Sequence, residues 1–438
     1  MSDVMLMGRL GRLLEAAEAA SPVEAVQSVA RELGEAFGAT EVSFLVADLS
    51  GRALVRLAHV PLAEDADPGD TQPLEPNQRQ AGAERATVLP LDGGPGEQAV
   101  RTQAVQVVAP DGAEDGPTAG MWTLLAPITE RGEVIGVLEL LLPSEPDEDT
   151  RSAAGQLAHF MGFVVIANRR HTDLFEWGQR SRPSSLSAEI QQRLLPASRT
   201  CEAGAFTLAA WLEPASDIAG DSFDYSLARD ELHLSVTDAM GHGVGAALTA
   251  SLSVGALRGA RRRGVSLLDQ VAAANAALVE HSDKHGADDY VTGVAGRLDL
   301  ETGALELVNA GHVPPYLARK GRVEAVDLPP DLPVGLFADT GYRSTRLDLE
   351  PGDRLVIVTD GMLDRNAAGL DLTEVIGETS ALHPREAARY MADRVLAATG
   401  HNLKDDATIL LLDWFGEHGR ARTTVSGADL DRASARLS

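Results

Sequence analysis

The sequence predicts a two-domain protein of mixed α/β and α+β class, and three observations lead there. A chain of 438 residues exceeds what one ordinary core organises, while a hydrophobic fraction of 44% is that of a globular protein. In the first half, amphipathic helical stripes enclose a set of strand-like runs. From residue 204 the chain runs strand by strand with few helices, and acidic turns punctuate it.

The elements follow in order. Residues 1–19 read as an N-terminal helix. "SPVEAVQSVARELGEAF" opens with a capping box, Ser21 as N-cap, Pro22 at the first helical position and Glu24 three residues after the cap. Val26, Val29, Leu33 and Phe37 then recur at helical spacing. "EVSFLVAD" and "ALVRLAHV" are strand-like runs joined by the turn "LSGR". Residues 61–86, rich in Pro, Asp, Glu, Gln and Gly, read as a long loop. "GPGEQAVRTQAVQVV" reads as a short helix feeding a strand, and "MWTLLAPI" and "EVIGVLELLLP" as a hairpin around "TERG". Beyond Asp147 the apolar stripe Leu157, Phe160, Met161, Val164 and Val165 predicts a helix that continues through Leu174 and Phe175. Residues 169–203 form a helical connector interrupted by Pro183, after which Leu186, Ile190 and Leu194 fall at intervals of four on one face. That face either packs on its own domain or forms a dimerising, signal-relaying helix. Residues 204–416 form the second domain, and the polar, aperiodic tail 417–438 reads as disordered.

Composition narrows the function. A net charge of −27 argues against a nucleic-acid partner, which needs a basic surface. The single cysteine, Cys201, excludes an internal disulfide or zinc knuckle and fits a reducing cytoplasm. The N-terminus has no apolar run of signal-peptide length, and "VIGVLELLLP" and "ATILLLDWF" are too short and too charged to span a bilayer. Arginine supplies nearly all positive charge, lysine occurring only at 284, 320 and 404, a bias typical of a GC-rich bacterial genome.

Residues 20–168 resemble a GAF domain, a small-molecule-sensing α/β module, on the order of their elements and on "GEQAVRTQAVQVV" and "LLAPITERGEVIGVLEL". No ligand is named by these motifs, and a signal of unknown nature, small molecule or protein, is implied. Cysteine-linked pigment attachment is excluded, since Cys201 lies outside this stretch.

Four acidic turns mark the second domain: "AGDSFDY" (Asp221, Asp224), "TDAMGHG" (Asp238), "VTDGMLD" (Asp360, Asp364) and "KDDAT" (Asp405, Asp406). Three stand beside the strand-like runs "LHLSV", "RLVIV" and "TILLLDW", so their carboxylates are expected to meet at strand ends. Such a group stays ionised only with cations present, and oxygen donors without His/Cys spacing select hard ions.

The same segments, with "IAGDSFD", "TDAMGHGVGAA", "YVTGVAGRLDLETGALELVNAGHVPPYL", "LPVGL", "TDGMLD" and "DDATILLLDW" in order, resemble the SpoIIE-type serine/threonine phosphatases of the metal-dependent PPM superfamily. Ala219 and Asp364 depart from that family's usual residues without touching a metal carboxylate. The resemblance implies an αββα sandwich with two central antiparallel sheets and two manganese or magnesium ions. Asp238 would bridge the ions, Asp221 and the Ala239 carbonyl would hold one, and Asp360 and Asp405 the other. Asp224 and Asp406 would orient water or a loop. Water activated between the ions would attack phosphorus in line, with no phosphoenzyme. The glycines after Asp238 would let the next turn pass closely, and Ala246, Ala247 and Ala250 would let the following helix pack on the sheet. "AEIQQRLLP" resembles the segment that precedes the catalytic domain in this family, and Leu186, Ile190 and Leu194 there are candidate regulatory residues of a homodimer.

The resemblance further implies a cytoplasmic enzyme acting on a phosphorylated STAS-domain anti-anti-sigma factor, with no membrane insertion. A scaffold that binds such a partner without turnover and a two-metal hydrolase of small phosphoesters remain as alternatives. His242 and His312 read as structural histidines ahead of metal or catalytic roles, the four tryptophans as core or interface residues, and "RGARRRG" as a solvated helix end.

Overall fold

The computed structural model describes residues 3–61, 78–81, 84–110, 120–181, 185–215, 220–286, 289–363, 370–400, 403–417, 419–420, 424, 426–427 and 430–433. Two compact units emerge, one of Met1–Pro183 with Arg422–Ser438 and one of Ser184–Ala421.

The first unit runs α1 (Asp3–Ala19), α2 (Ala25–Phe37), β1 (Glu41–Ala47), β2 (Ala53–Pro61), β3 (Gln78–Ala81), β4 (Glu84–Pro90), α3 (Pro95–Thr102), β5 (Gln106–Val108), β6 (Trp122–Glu130), β7 (Glu133–Leu142), α4 (Glu148–Arg169) and α5 (Leu174–Gly178). Its strands form one antiparallel sheet in the order β3-β4-β2-β1-β7-β6-β5. Side chains alternate across it. Val42, Phe44 and Val46 face the core shared with α1, α2, α4 and α5, while Leu45, Leu125 and Val137 face Ala99 of α3.

Three expectations change here. Within the stretch 61–86 read as a loop, residues 78–81 form a strand and 84–86 begin another that runs to Pro90, both paired outward from β2, while 62–77 and 82–83 lie outside the described residues. The helix after Asp147 stops at Arg169, so Phe175 reaches the same core from a separate short helix. Ser21 opens a turn, its hydroxyl donating to Glu24, and α2 starts only at Ala25. In the tail, Ser426 Oγ donates to the Gln103 carbonyl and the Ser426 carbonyl accepts from Thr129 Oγ1.

The second unit runs α6 (Leu186–Leu194), β8 (Thr200–Glu202), β9 (Phe206–Glu213), β10 (Asp221–Leu227), β11 (Glu231–Ala239), α7 (Gly243–Arg262), α8 (Leu267–His285), β12 (Val291–Asp299), β13 (Ala304–Ala310), β14 (Tyr316–Arg319), β15 (Arg322–Ala325), β16 (Thr345–Asp348), β17 (Arg354–Val358), α9 (Leu372–Glu378), α10 (Pro384–Ala398) and β18 (Ala407–Trp414). Two antiparallel sheets result, β10-β11-β12-β13-β16 and β15-β14-β17-β18-β9-β8. Strand parity shows how they stack. Phe223, Leu232, Leu234 and Val236 of one sheet share a core with Leu355, Ile357, Leu410 and Leu412 of the other. The alternate residues Val356, Val358, Ile409 and Leu411 pack on α9 and α10, and Ala295, Val308 and Ala310 on α7 and α8. The layers are therefore helices, sheet, sheet, helices, the αββα sandwich expected. No helix among the described residues is long and apolar enough to cross a membrane.

Candidate metal centre

The inner sheet faces carry the site. Asp221 opens β10 with the parity of Phe223, and Asp238 is the last residue but one of β11, with the parity of Val236; the two stand opposite each other in register. From the facing sheet, Thr359 follows β17 with the parity of Ile357, while Thr408 and Asp406 share the parity of Leu410. Asp360 begins a single 3₁₀ turn, Asp360–Leu363, and Asp405 precedes β18; both are exposed.

Burial and mutual repulsion set the electrostatics. Asp238 is pushed up to about 7, first by burial and then by Asp360, Asp405 and Asp406. Asp221 is raised well above the ordinary carboxyl range by burial and by Asp238 and Asp406. Burial also lifts Asp406 to about 6, against hydrogen bonds from Gln191 and Ala215 that favour its charged form. Every charged group acting on Asp238 is thus another carboxylate. Among the described residues no three such side chains close tightly enough, as they stand, to enclose an ion. The donor chemistry nevertheless fits a hard divalent cation, which relieves this repulsion through oxygen ligands.

Two glycines make the close approaches. A Cβ on Gly220 would lie 2.5 Å from the Ala239 carbonyl oxygen, and one on Gly361 would lie 2.0 Å from the Asp406 carbonyl. Gly241 and Gly243 were expected to serve that purpose, but a Cβ on either meets nothing within 4 Å. They are needed instead for φ values of 97° and 71° between β11 and α7. Ala246, Ala247 and Ala250 are buried on α7, as expected.

Asp224 is corrected. Three residues on from Asp221 it has the opposite parity, and it pairs with Arg258 (2.8 Å) and Arg261 (3.0 Å) of α7. The basic stretch read as a solvated helix end is therefore partly spent inside the domain. Arg258 also donates to the Leu194 carbonyl at the end of α6. His242 is exposed before α7. His312 is buried and bridges Thr292 Oγ1 at 3.1 Å and the Val358 carbonyl at 3.0 Å. Burial lowers its pKa to about 4, leaving a neutral ring that donates to Val358 and accepts from Thr292. Asp364 and Ala219 lie outside the described residues.

The sequence reading missed Gln191, Thr359 and Thr408. Gln191 is buried on the polar side of α6, and its Nε2 donates to Asp406 Oδ2 at 2.6 Å and to the Asp221 carbonyl at 2.9 Å. On the apolar side, Leu186 is 66% exposed, Ile190 is half-buried and Leu194 leans on the α7–α8 core. Pro183 lies outside the described residues.

Residues 228–415 match the family described as stage II sporulation protein E (SpoIIE), and residues 21–165 match the GAF domain. The chain joins a GAF domain to a SpoIIE-type PPM domain. Asp221 and the connector helix precede the SpoIIE match. Phosphoserine phosphatase RsbU of Bacillus subtilis is 24% identical over 283 residues, 63% of this chain and 83% of that protein. Phosphoserine phosphatase RsbP of the same organism is 22% identical over 213 residues, 47% of this chain and 51% of its own length. The RsbU and RsbW domains of Rv1364c from Mycobacterium tuberculosis align at 24% identity and a TM-score of 0.43, covering 50% of this chain and 63% of that one.

Proposed function

We propose that the chain is a manganese- or magnesium-dependent phosphoserine/phosphothreonine protein phosphatase acting on a phosphorylated STAS-domain anti-anti-sigma factor. The observation that carries this reading is the gathering of Asp221, Asp238, Asp360, Asp405 and Asp406 from separate strand ends into one mutually repelling group. Likeness to two proteins named phosphoserine phosphatases supports it. Asp221, Asp238 and the Ala239 carbonyl would hold one ion, and Asp238, Asp360 and Asp405 the other. Bound there, the ions supply a water of lowered pKa and neutralise charge on the phosphoryl group. The chain's own part is to present donors. Gly220 leaves the Ala239 carbonyl uncovered, Gln191 and the Ala215 N–H hold Asp406 in place, and the exposed Asp360 and Asp405 can be drawn inward.

Exposed apolar side chains flank the acidic turns: Met240, Val244 and Leu363 are each 41% exposed. Such a rim suits a protein surface better than a nucleotide or small phosphoester. Control is assigned to the GAF domain and its route to α6, which carries a polar side chain into the site and an apolar face outward. That apolar face would meet a second copy in a homodimer. Cys201, the single cysteine of the sequence, is buried, and this suits a reducing cytoplasm.

The test is to incubate the protein with manganese and a phosphorylated STAS protein beside nucleotides. Phosphate released from the phosphoprotein alone, and abolished by EDTA, is the expected result. Binding without release would make the chain a scaffold, and equal hydrolysis of nucleotides a small-phosphoester hydrolase. Full turnover in EDTA, with no metal by elemental analysis, would remove the metal reading.

A further inference from the structure

Two threonines outside the acidic set converge on one atom of it. Thr359 Oγ1 and Thr408 Oγ1 each donate to Asp221 Oδ2 at 2.7 Å. Both threonines are fully buried. Thr408 lies in β18 and Thr359 directly after the neighbouring β17 of one sheet, whereas Asp221 opens a strand of the other. Thr359 Oγ1 also accepts the Thr408 N–H at 2.9 Å, and the Thr359 N–H donates to the Thr408 carbonyl at 3.1 Å. Thr359 Oγ1 thus accepts one backbone N–H and gives its proton to Asp221. Each hydroxyl has a single proton, and both are committed to the same oxygen.

We propose that Thr359 and Thr408 are positioning residues that lock the Asp221 carboxylate, tying down Oδ2 so that Oδ1 is the oxygen presented to an ion. The carboxylate's backbone is already held, since Gln191 Nε2 donates to the Asp221 carbonyl. Side-chain rotation is the freedom that remains, and two donors on one oxygen remove it. Valine has nearly the same shape as threonine and would fill these sites if only packing were required. A carboxylate held ready in this way gives up less freedom when an ion arrives.

The proposal rests on the acidic group being a metal site, and its test separates the two. Thr359→Val and Thr408→Val are compared with Thr359→Ser and Thr408→Ser in the full chain. Manganese affinity is measured without substrate from the paramagnetic resonance of free Mn²⁺, and the thermal midpoint of the metal-free protein serves as a folding control. Each valine variant is expected to bind Mn²⁺ roughly tenfold or more weakly, the effect of removing a hydrogen bond to a charged group, and each serine variant about as tightly as wild type. Valine variants that fold and bind like wild type overturn the proposal. Serine variants as weak as valine do so too, since they would show that the methyl group is what matters. Where a valine variant fails to fold, alanine is compared with serine at that position, and equal affinities overturn the proposal. Wild-type protein that binds no Mn²⁺ removes the metal reading, and the proposal with it.

Discussion

Asp238 concentrates the conflict between folding and function. Its carboxyl is driven upward by burial and by three neighbouring acids, so without metal it opposes the fold that contains it. Asp238→Asn removes one repelling charge at nearly constant shape. The metal-free protein should therefore melt higher, while phosphatase turnover should fall by roughly three orders of magnitude or more. Calorimetry and a phosphate-release assay on the same sample check both halves; near-normal turnover would make Asp238 a turn-former only. The pH dependence follows from the same residues. Asp238 and Asp406 have folded-state values of about 7 and about 6, above those of an unfolded carboxyl. Their stabilisation of metal-free protein is complete below about pH 4 and is lost as pH rises through those values. His312 works the other way. Its folded value of about 4 lies below that of an unfolded histidine, so its contribution is complete above about pH 6.5 and lost as pH falls towards 4. An ion displaces the carboxyl protons, so its affinity grows with pH. Manganese should therefore raise the thermal midpoint more near pH 8 than near pH 5.5, and equal increments would count against a carboxylate site.

At the scale of elements, α6 is the unexpected one. Its apolar repeat invited a reading in which Leu186, Ile190 and Leu194 are the working face, yet the buried side carries Ser187 and Gln191. Gln191 Nε2 joins the backbone of β10 to the carboxylate just ahead of β18, and Arg258 of α7 holds the other end of the helix through Leu194. Displacing α6 would thus loosen Asp406, leaving it the Ala215 N–H, and Asp221 together. Gln191→Met keeps length and bulk but removes the donor. It should lower turnover by about tenfold or more while leaving helix content unchanged by circular dichroism. A variant with unchanged turnover and unchanged manganese affinity would leave α6 a packing element.

For the whole molecule, the question is what covers the apolar side of α6. Leu186 stands 66% exposed there, with Ile190 half-buried beside it. A second copy of the helix is the partner we propose. Ile190→Asp places a charge in that contact and leaves every proposed metal donor in place. Light scattering should show the dimer weakened, and phosphate release should fall or cease to respond to the GAF domain. A variant that stays dimeric with unaltered turnover would assign this face to packing alone.

Much of this protein is written locally. Continuous apolar runs such as "RLVIV" and "TILLLDW" became β17 and β18, buried on both faces, and because strand parity alternates, the acids at their ends had to point into the layer between the sheets or away from it. The acidic turns were accordingly visible from sequence, and so was the sandwich once the motifs were read in order. Parity also separates Asp221 from Asp224, three residues apart on β10. β3 and β4 were missed because the edge strand "QRQA" and the opening "ERAT" of β4 are mostly polar and lack the alternation that a half-buried strand shows. Gln191, Thr359 and Thr408 were beyond local reading for a different reason. Thr408 meets Asp221 across 187 residues and Gln191 meets Asp406 across 215, and no periodicity records which donor a buried carboxylate will find. The sequence by itself determined which carboxylates stand at strand ends. Only the packing of two sheets and one connector helix decided which groups hold them, because a buried charge takes its hydrogen bonds from whatever the tertiary fold brings within reach.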